Sequence, residues 1–285
     1  MPLFVKKFIK KTPLYPILKA ARECIRCLII ASSLPYKFIH NGKTTKFRTD
    51  DPYSYFWFYP RYSNGKQHEP LATLKFIEAL TTSKVVADVG ANLGWFTCIA
   101  ASQNKNSTVY SFELDHTNLQ ICRRNTELNG LKNVVLNNVA VTNFDGELDY
   151  KKESSGQASP NHRLNGKGAG VSCKVEAIRL DTYFSDKESP EVVKIDVEGA
   201  EQLVLEGMSE MLHGTSLKTI LIEIHPAWLK EMGGSVAEVY KLLSDAGFMI
   251  SSVEHRSESN KEVIVDISDI ESVHVGGRMF VAQKK

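Results

Sequence analysis

The chain has 285 residues, 42% hydrophobic and 24% charged, with a net charge of only +2. Such a balance supports a globular core and excludes disorder, a collagen-like fibre and a chain that is basic throughout. Five cysteines, an odd number, argue for a reducing, cytoplasmic setting, and no apolar run reaches the ~18 residues of a membrane span.

Charge is unevenly spread. Residues 1–48 hold eleven Lys or Arg against Glu23 alone, a net of +10, so the remaining 237 residues of the +2 chain carry −8. Arg22, Glu23 and Arg26 interrupt the place where a secretory signal would need its apolar centre. Within this basic arm Ile17, Leu18, Ala21, Cys24, Ile25, Leu28 and Ile29 recur at helical spacing. An amphipathic helix of that kind either packs its stripe on its own domain or lies on an anionic membrane or a partner. Phe4, Phe8 and Ile9 form a shorter cluster among four lysines. Asn41-Gly42 predicts a hairpin joining residues 37–40 to 43–48. The aromatic run Tyr53, Tyr55, Phe56, Trp57, Phe58 and Tyr59 is suited to core packing or to stacking a substrate. The arm and hairpin, residues 1–50, thus precede a main domain of residues 51–285.

From residue 70 the pattern becomes regular. It predicts helices over 70–80, 95–102, 116–129, 200–212 and 236–246. Strands are predicted over 85–89, 109–113, 134–139, 148–152, 175–178, 192–197, 219–224, 248–253 and 273–282. A Gly- and Ser-rich stretch, 151–170, interrupts the series. There His162 and Arg163 are candidates for an acceptor-binding lid, although a long polar loop needs no such role. Short apolar strands alternating with helices predict an α/β, Rossmann-like, mostly parallel sheet covered by helices on both faces.

The most informative stretch runs from Val85 to Phe96, where a buried strand enters a glycine turn, Gly90 to Gly94, and then a helix. A dinucleotide fingerprint would place glycine where this chain has Asp88. That carboxylate repels a diphosphate and suits a cationic ligand, such as the sulfonium or ammonium of S-adenosylmethionine. Glu113 ends the next strand, about where an acid reaches ribose hydroxyls. Farther on, Lys194, Asp196 and Glu198 alternate along one strand, and Glu223 and His225 end its neighbour. Three carboxylates and an imidazole thus converge, and pKa shifts, Lys194 or a metal must relieve their repulsion.

These residues carry a resemblance. His68-Glu69-Pro70, Val86 to Phe96, Phe112-Glu113, Asn138 to Val141, Leu180-Asp181, Val193 to Glu201, Leu205-Glu206-Gly207 and Ile222 to His225 resemble the FkbM family of S-adenosylmethionine-dependent methyltransferases. The resemblance implies a class I methyltransferase fold with a seven-stranded sheet and methylation of a hydroxyl on a sugar or other natural product. Glu113-Leu114-Asp115 departs from the acid-Pro that many relatives carry there.

The expected cofactor contacts are Glu69, Asp88, Gly90, Asn92, Gly94, Glu113, Asn138 and Asp196. Among them Glu69 either reaches the amino-acid portion, as the resemblance implies, or caps a helix. Asn138 either reads the adenine or makes a turn. His225 is the first candidate for general base, with Asp196 and Glu198 orienting donor and acceptor. Alternatively Asp196, Glu198 and His225 hold Mg²⁺ or a similar ion. The expected activity is O-methyl transfer to a saccharide or related acceptor. Its rivals are N-methylation of nucleic acid or protein, disfavoured by the missing Asn/Asp-Pro-Pro-Tyr/Phe motif, and a non-catalytic binding module. No nucleic-acid partner is expected, while the basic arm leaves peripheral membrane contact open.

Overall fold

The computed structural model describes residues 20–21, 24–25, 28–30, 32–58, 69–152, 163–164, 171–253, 262–264 and 278–284. The Phe4–Ile9 cluster, Tyr59, and the lid candidate His162 lie outside the described residues, and of Arg163 only the strand backbone is described.

Fourteen strands are described. A hairpin, β1 (Tyr36–His40) and β2 (Lys43–Phe47), comes first, followed by β3 (Val85–Val89), β4 (Thr108–Phe112) and β5 (Val134–Asn137). Next are β6 (Ala140–Val141), β7 (Gly146–Lys152), β8 (Arg163–Leu164) and β9 (Val171–Ile178). The last five are β10 (Val192–Ile195), β11 (Thr219–Ile224), β12 (Phe248–Val253), β13 (Glu262–Ile264) and β14 (Arg278–Lys284). Past the helical turn Ser54–Phe58, the described helices are α1 (Pro70–Ala79), α2 (Trp95–Gln103), α3 (His116–Leu128), α4 (Leu180–Tyr183), α5 (Glu201–Glu206), α6 (Ser209–His213), α7 (Pro226–Glu231) and α8 (Val236–Asp245).

The main sheet runs β13-β12-β14-β11-β10-β3-β4-β5. Strands β5, β4, β3, β10 and β11 are mutually parallel, and β14 inserts antiparallel between β11 and β12. Leaving aside the short edge strand β13, this is the seven-stranded class I methyltransferase order. The strand order reverses between β3 and β10, so the crevice beyond their carboxyl ends is where this topology places a ligand.

Side-chain alternation divides the core into two layers. Val86, Val192 and Leu221 join Phe76, Phe96 and Ile99 on one face of the sheet. Val85, Ala87, Val89, Val193 and Ile195 join Leu205, Met208 and Leu243 on the other. The hairpin belongs to the first layer. Its turn holds Asn41 and Gly42 at φ 47° and 74°, as a two-residue turn requires, and Phe47 packs on Trp95 with ring centroids 4.7 Å apart.

The structure corrects one expectation and adds two details. The predicted helix over 200–212 is two helices, α5 and α6. A Cβ at Gly207 would stand 1.9 Å from the Thr142 carbonyl oxygen, and the Asp181 carboxylate caps α6 by accepting from the Glu210 and Met211 N–H groups at 3.0 and 3.1 Å. The strands flanking the polar stretch form a separate sheet, β6-β9-β7-β8. In the arm, Ile17 and Leu18 lie outside the described residues, and among the described ones Ala21, Cys24, Ile25, Leu28 and Ile29 are exposed and Ile30 is buried.

Candidate active site

The carboxyl ends of β3, β4 and β10 open on a cleft with about 590 Å³ of empty space, bounded by Gly90, Asn92, Glu113, Val141, Asp196 and Glu198. One wall belongs to β3 and β4. Asn92 adopts φ 49°, and its N–H donates to Glu113 Oε2 at 2.8 Å, while the Asp115 N–H donates to Oε1 at 2.8 Å. Each carboxylate oxygen keeps a lone pair for a further donor. Burial pushes this carboxyl up to about 7, partly opposed by those two backbone donors. The Asn92 side chain meets the Tyr53 hydroxyl at 3.2 Å, which ties Tyr53 of the aromatic run to a residue of the cleft wall.

Asp88 lies deeper than a cleft mouth. It shares the parity of Val86, so its side chain enters the α2 layer, where it is fully buried and accepts from the Thr97 hydroxyl at 2.5 Å. Its strand neighbours are Lys194 and Ser111. Burial raises its carboxyl pKa, opposed by the Lys194 charge and the Thr97 hydrogen bond. Asp88, expected as a cofactor contact, does not line the cleft: the residues of this strand segment that do are Val89 and Gly90.

The two glycines make room for protein as much as for a ligand. A Cβ on Gly90 would stand 1.7 Å from the Asp196 carbonyl oxygen, and one on Gly94 would stand 2.6 Å from Cys122 Sγ. Asn138 donates to the carbonyls of Glu113 and Leu114, both at 2.9 Å, which ties down the exit of β4 and leaves no amide hydrogen free for a base. Glu69 precedes α1 with φ 44°, is buried, and contributes its charge to the field around Lys194.

The opposite wall is ionic. Strand β10 ends at Ile195, two residues short of the predicted boundary, and Glu198 at φ 52° and Gly199 at φ 108° turn the chain into α5. Lys194, almost fully buried, donates to Asp196 Oδ2 at 3.0 Å and lies 4.8 Å from the centre of the Phe96 ring. Burial disfavours its charge, yet the carboxylates of Asp196, Asp88, Glu69 and Glu223 more than offset that and keep it an ammonium.

His225 leaves β11 just before Pro226 starts α7, and its ring stacks on Trp228 with centroids 5.0 Å apart. Its Nδ1 lies 2.7 Å from Glu201 Oε1, and its Nε2 lies 3.5 Å from Glu223, 3.6 Å from Glu198 and 4.0 Å from Asp196. Burial lowers the imidazole pKa, but Glu201, Glu223 and Asp196 outweigh it and push it up to about 11. In that charge state both ring nitrogens are donors, and the ring takes up a proton only after giving one away. Glu198 has the opposite character: burial, then the charge of Asp196, pushes its carboxyl up to about 8, and its Oε2 accepts no hydrogen bond.

Asp196, Glu198 and His225 present three ligand atoms within 4.8 Å of one another, the donor set of a small divalent cation. The sequence reading gave no role to Glu201 or Trp228. Glu201 was visible as the acid opening a helix, but its bond to His225 crosses 24 residues. The i, i+3 spacing of His225 and Trp228 around Pro226 was the available signal for the stack.

The curated relative "Hexuronic acid methyltransferase AglP" of Haloferax volcanii is 28% identical over 172 residues, 60% of this chain and 65% of that protein's length. Among solved structures, an rRNA methylase from Streptococcus thermophilus is 14% identical with a TM-score of 0.46, over 78% of this chain and 99% of that one. A putative methyltransferase from Streptococcus mutans in complex with SAH is 13% identical with the same score, over 77% and 99%. The family described as Methyltransferase FkbM domain matches residues 88–250, more than half of the chain and the segment holding both cleft walls. The chain belongs to the FkbM family of S-adenosylmethionine-dependent methyltransferases.

Proposed function

We propose that the chain methylates an oxygen of a saccharide, with Glu113 holding the nucleoside ribose and the Asp196–Glu198–His225 group serving the acceptor. The cleft lying between these two sets of residues carries the reading. S-adenosylmethionine supplies an electrophilic methyl group for in-line displacement. Glu113 offers lone pairs to the ribose hydroxyls, and Leu114, Val139 and Val141 offer adenine an apolar wall. Asp196, held by Lys194, puts negative charge toward the sulfonium and ammonium of the donor.

The acceptor follows from charge. A carboxylate acceptor needs no base, but it would enter a wall that already contains Asp196, Glu198, Glu201 and Glu223. A neutral sugar hydroxyl meets no such repulsion and needs its proton removed. Glu198 is the group for that step, since a carboxyl raised to about 8 is a stronger base than an ordinary carboxylate while roughly a tenth of it is still ionised at pH 7. The likeness to a hexuronic acid methyltransferase supports the saccharide class.

A second reading is favoured by the donor set itself. With Glu201 on Nδ1, His225 has Nε2 as its remaining ligand atom, the carboxylate–histidine arrangement common around metals. A divalent cation held there would lower the pKa of the acceptor hydroxyl. Titration calorimetry with S-adenosylhomocysteine, followed by a methyl-donor turnover screen over hydroxylated sugars with and without EDTA, tests both. Absence of binding heat overturns the cofactor assignment. Activity indifferent to EDTA favours Glu198, and activity lost to EDTA and restored by Mg²⁺ or Mn²⁺ favours the cation.

A further inference from the structure

The segment ahead of the hairpin turns its apolar side outward. Helical backbone at residues 20–21, 24–25 and 28–30 carries Ile25, Leu28 and Ile29 on one side, and they are 57%, 65% and 50% exposed. Leu34, at 82%, and Ile39 on the hairpin, at 62%, add to the exposed apolar surface of this region. Around Ile39 the exposed face of the hairpin is basic, with Lys37 paired across the strands with Lys46. The arm and hairpin together carry +10 against −8 for the rest of the chain.

Side chains of this size left bare on helical backbone call for a surface that covers them. The charge decides which. A second copy would bring the same strongly positive arm and be repelled, whereas an anionic lipid surface attracts it and supplies an apolar interior. The negative body is repelled by that same surface, so the charge asymmetry also fixes which end faces it. Among the described residues no helix is long and apolar enough to cross a membrane.

We infer that residues 20–39 dock the protein on an anionic membrane surface, with Ile25, Leu28 and Ile29 entering the boundary between headgroups and acyl chains. The exposed hairpin lysines Lys37 and Lys46 meet the lipid phosphates. The inference stands apart from the catalytic reading and does not need the acceptor to be known.

Co-sedimentation of the full chain with vesicles tests it. Vesicles of phosphatidylcholine containing phosphatidylglycerol should bind at least ~10-fold more tightly than phosphatidylcholine alone, and ~0.5 M salt should remove most of that difference. The double variant Ile25→Asp, Leu28→Asp should lose ~10-fold or more in affinity, and Lys37→Glu with Lys46→Glu should lose several-fold. Both should keep the thermal midpoint and the S-adenosylhomocysteine affinity of the parent. Equal affinity for the two vesicle types, no binding to either, or undiminished binding by the apolar variant overturns the inference. So does a chain that is dimeric in sedimentation velocity and becomes monomeric with Ile25→Asp, Leu28→Asp while its vesicle binding is unchanged.

Discussion

The two walls of the cleft solve the problem of buried acid in opposite ways. On the β4 side Glu113 is served by two backbone N–H groups from its own neighbourhood, so its position depends on local turns. On the β10–β11 side Asp196, Glu198, Glu201 and Glu223 share one imidazole, while Lys194 holds Asp196, and every charge depends on the others. The first wall is suited to holding something unchanged through a reaction. The second is suited to moving a proton or a cation, because removing any member resets the rest.

The sharpest way to break this contrast is Glu198→Gln, which removes the group proposed to take the acceptor proton. Turnover should fall ~10²–10⁴-fold while the affinity for S-adenosylhomocysteine stays within ~3-fold, read by a methyl-transfer assay beside calorimetry. An equal loss of affinity would mean that the two walls are not functionally distinct.

Glu113→Ala is the mirror experiment. Losing an ionic acceptor for ribose should weaken S-adenosylhomocysteine by ~10–100-fold, with turnover at saturating cofactor much less affected. Glu113→Gln adds a pH signature. The carboxyl holds its proton more firmly folded, at about 7, than at its ordinary 4.5, so the native state binds more protons between those values. Stability therefore falls as pH rises through that window, by up to ~3 kcal/mol. Denaturant titrations from pH 4.5 to 7.5 should show this slope in the parent and a flatter one in the variant.

Glu201→Gln tests the second wall without touching the cleft. It removes the partner that contributes most to raising the imidazole pKa, so the His225 titration followed by NMR should move down by about one pH unit or more. An unmoved titration would show that the network is not coupled through Glu201. The smallest effect is expected from Asp181→Ala, which uncaps α6 at a cost of about 1 kcal/mol in denaturant unfolding and leaves cofactor affinity unchanged.

Legibility in the sequence followed the range of the interactions. Val85–Val89, Thr219–Ile224 and Phe248–Val253 were read with their observed limits, because a buried strand is an apolar run bounded by polar or turn residues. The convergence of Asp196, Glu198 and His225 was legible from the fold rule that strand ends meet at the crevice. The depth of Asp88 was readable in principle, since its parity with Val86 points it toward Thr97, but its charge drew the reading toward a ligand. The break at Gly207 was not legible, because it reflects the approach of Thr142 from another part of the chain. Nor was the charge on His225, which depends on how closely Glu201 and Glu223 come to it.

The flat contact between His225 and Trp228 gives the protein an optical gauge of its own chemistry. Indole emission is quenched by a protonated imidazole against its face, so ejecting that proton, by titration or by a captured ion, should brighten Trp228. With Trp57 and Trp95 replaced by phenylalanine, the charge on the reactive ring could be followed in real time by light alone, without a labelled substrate.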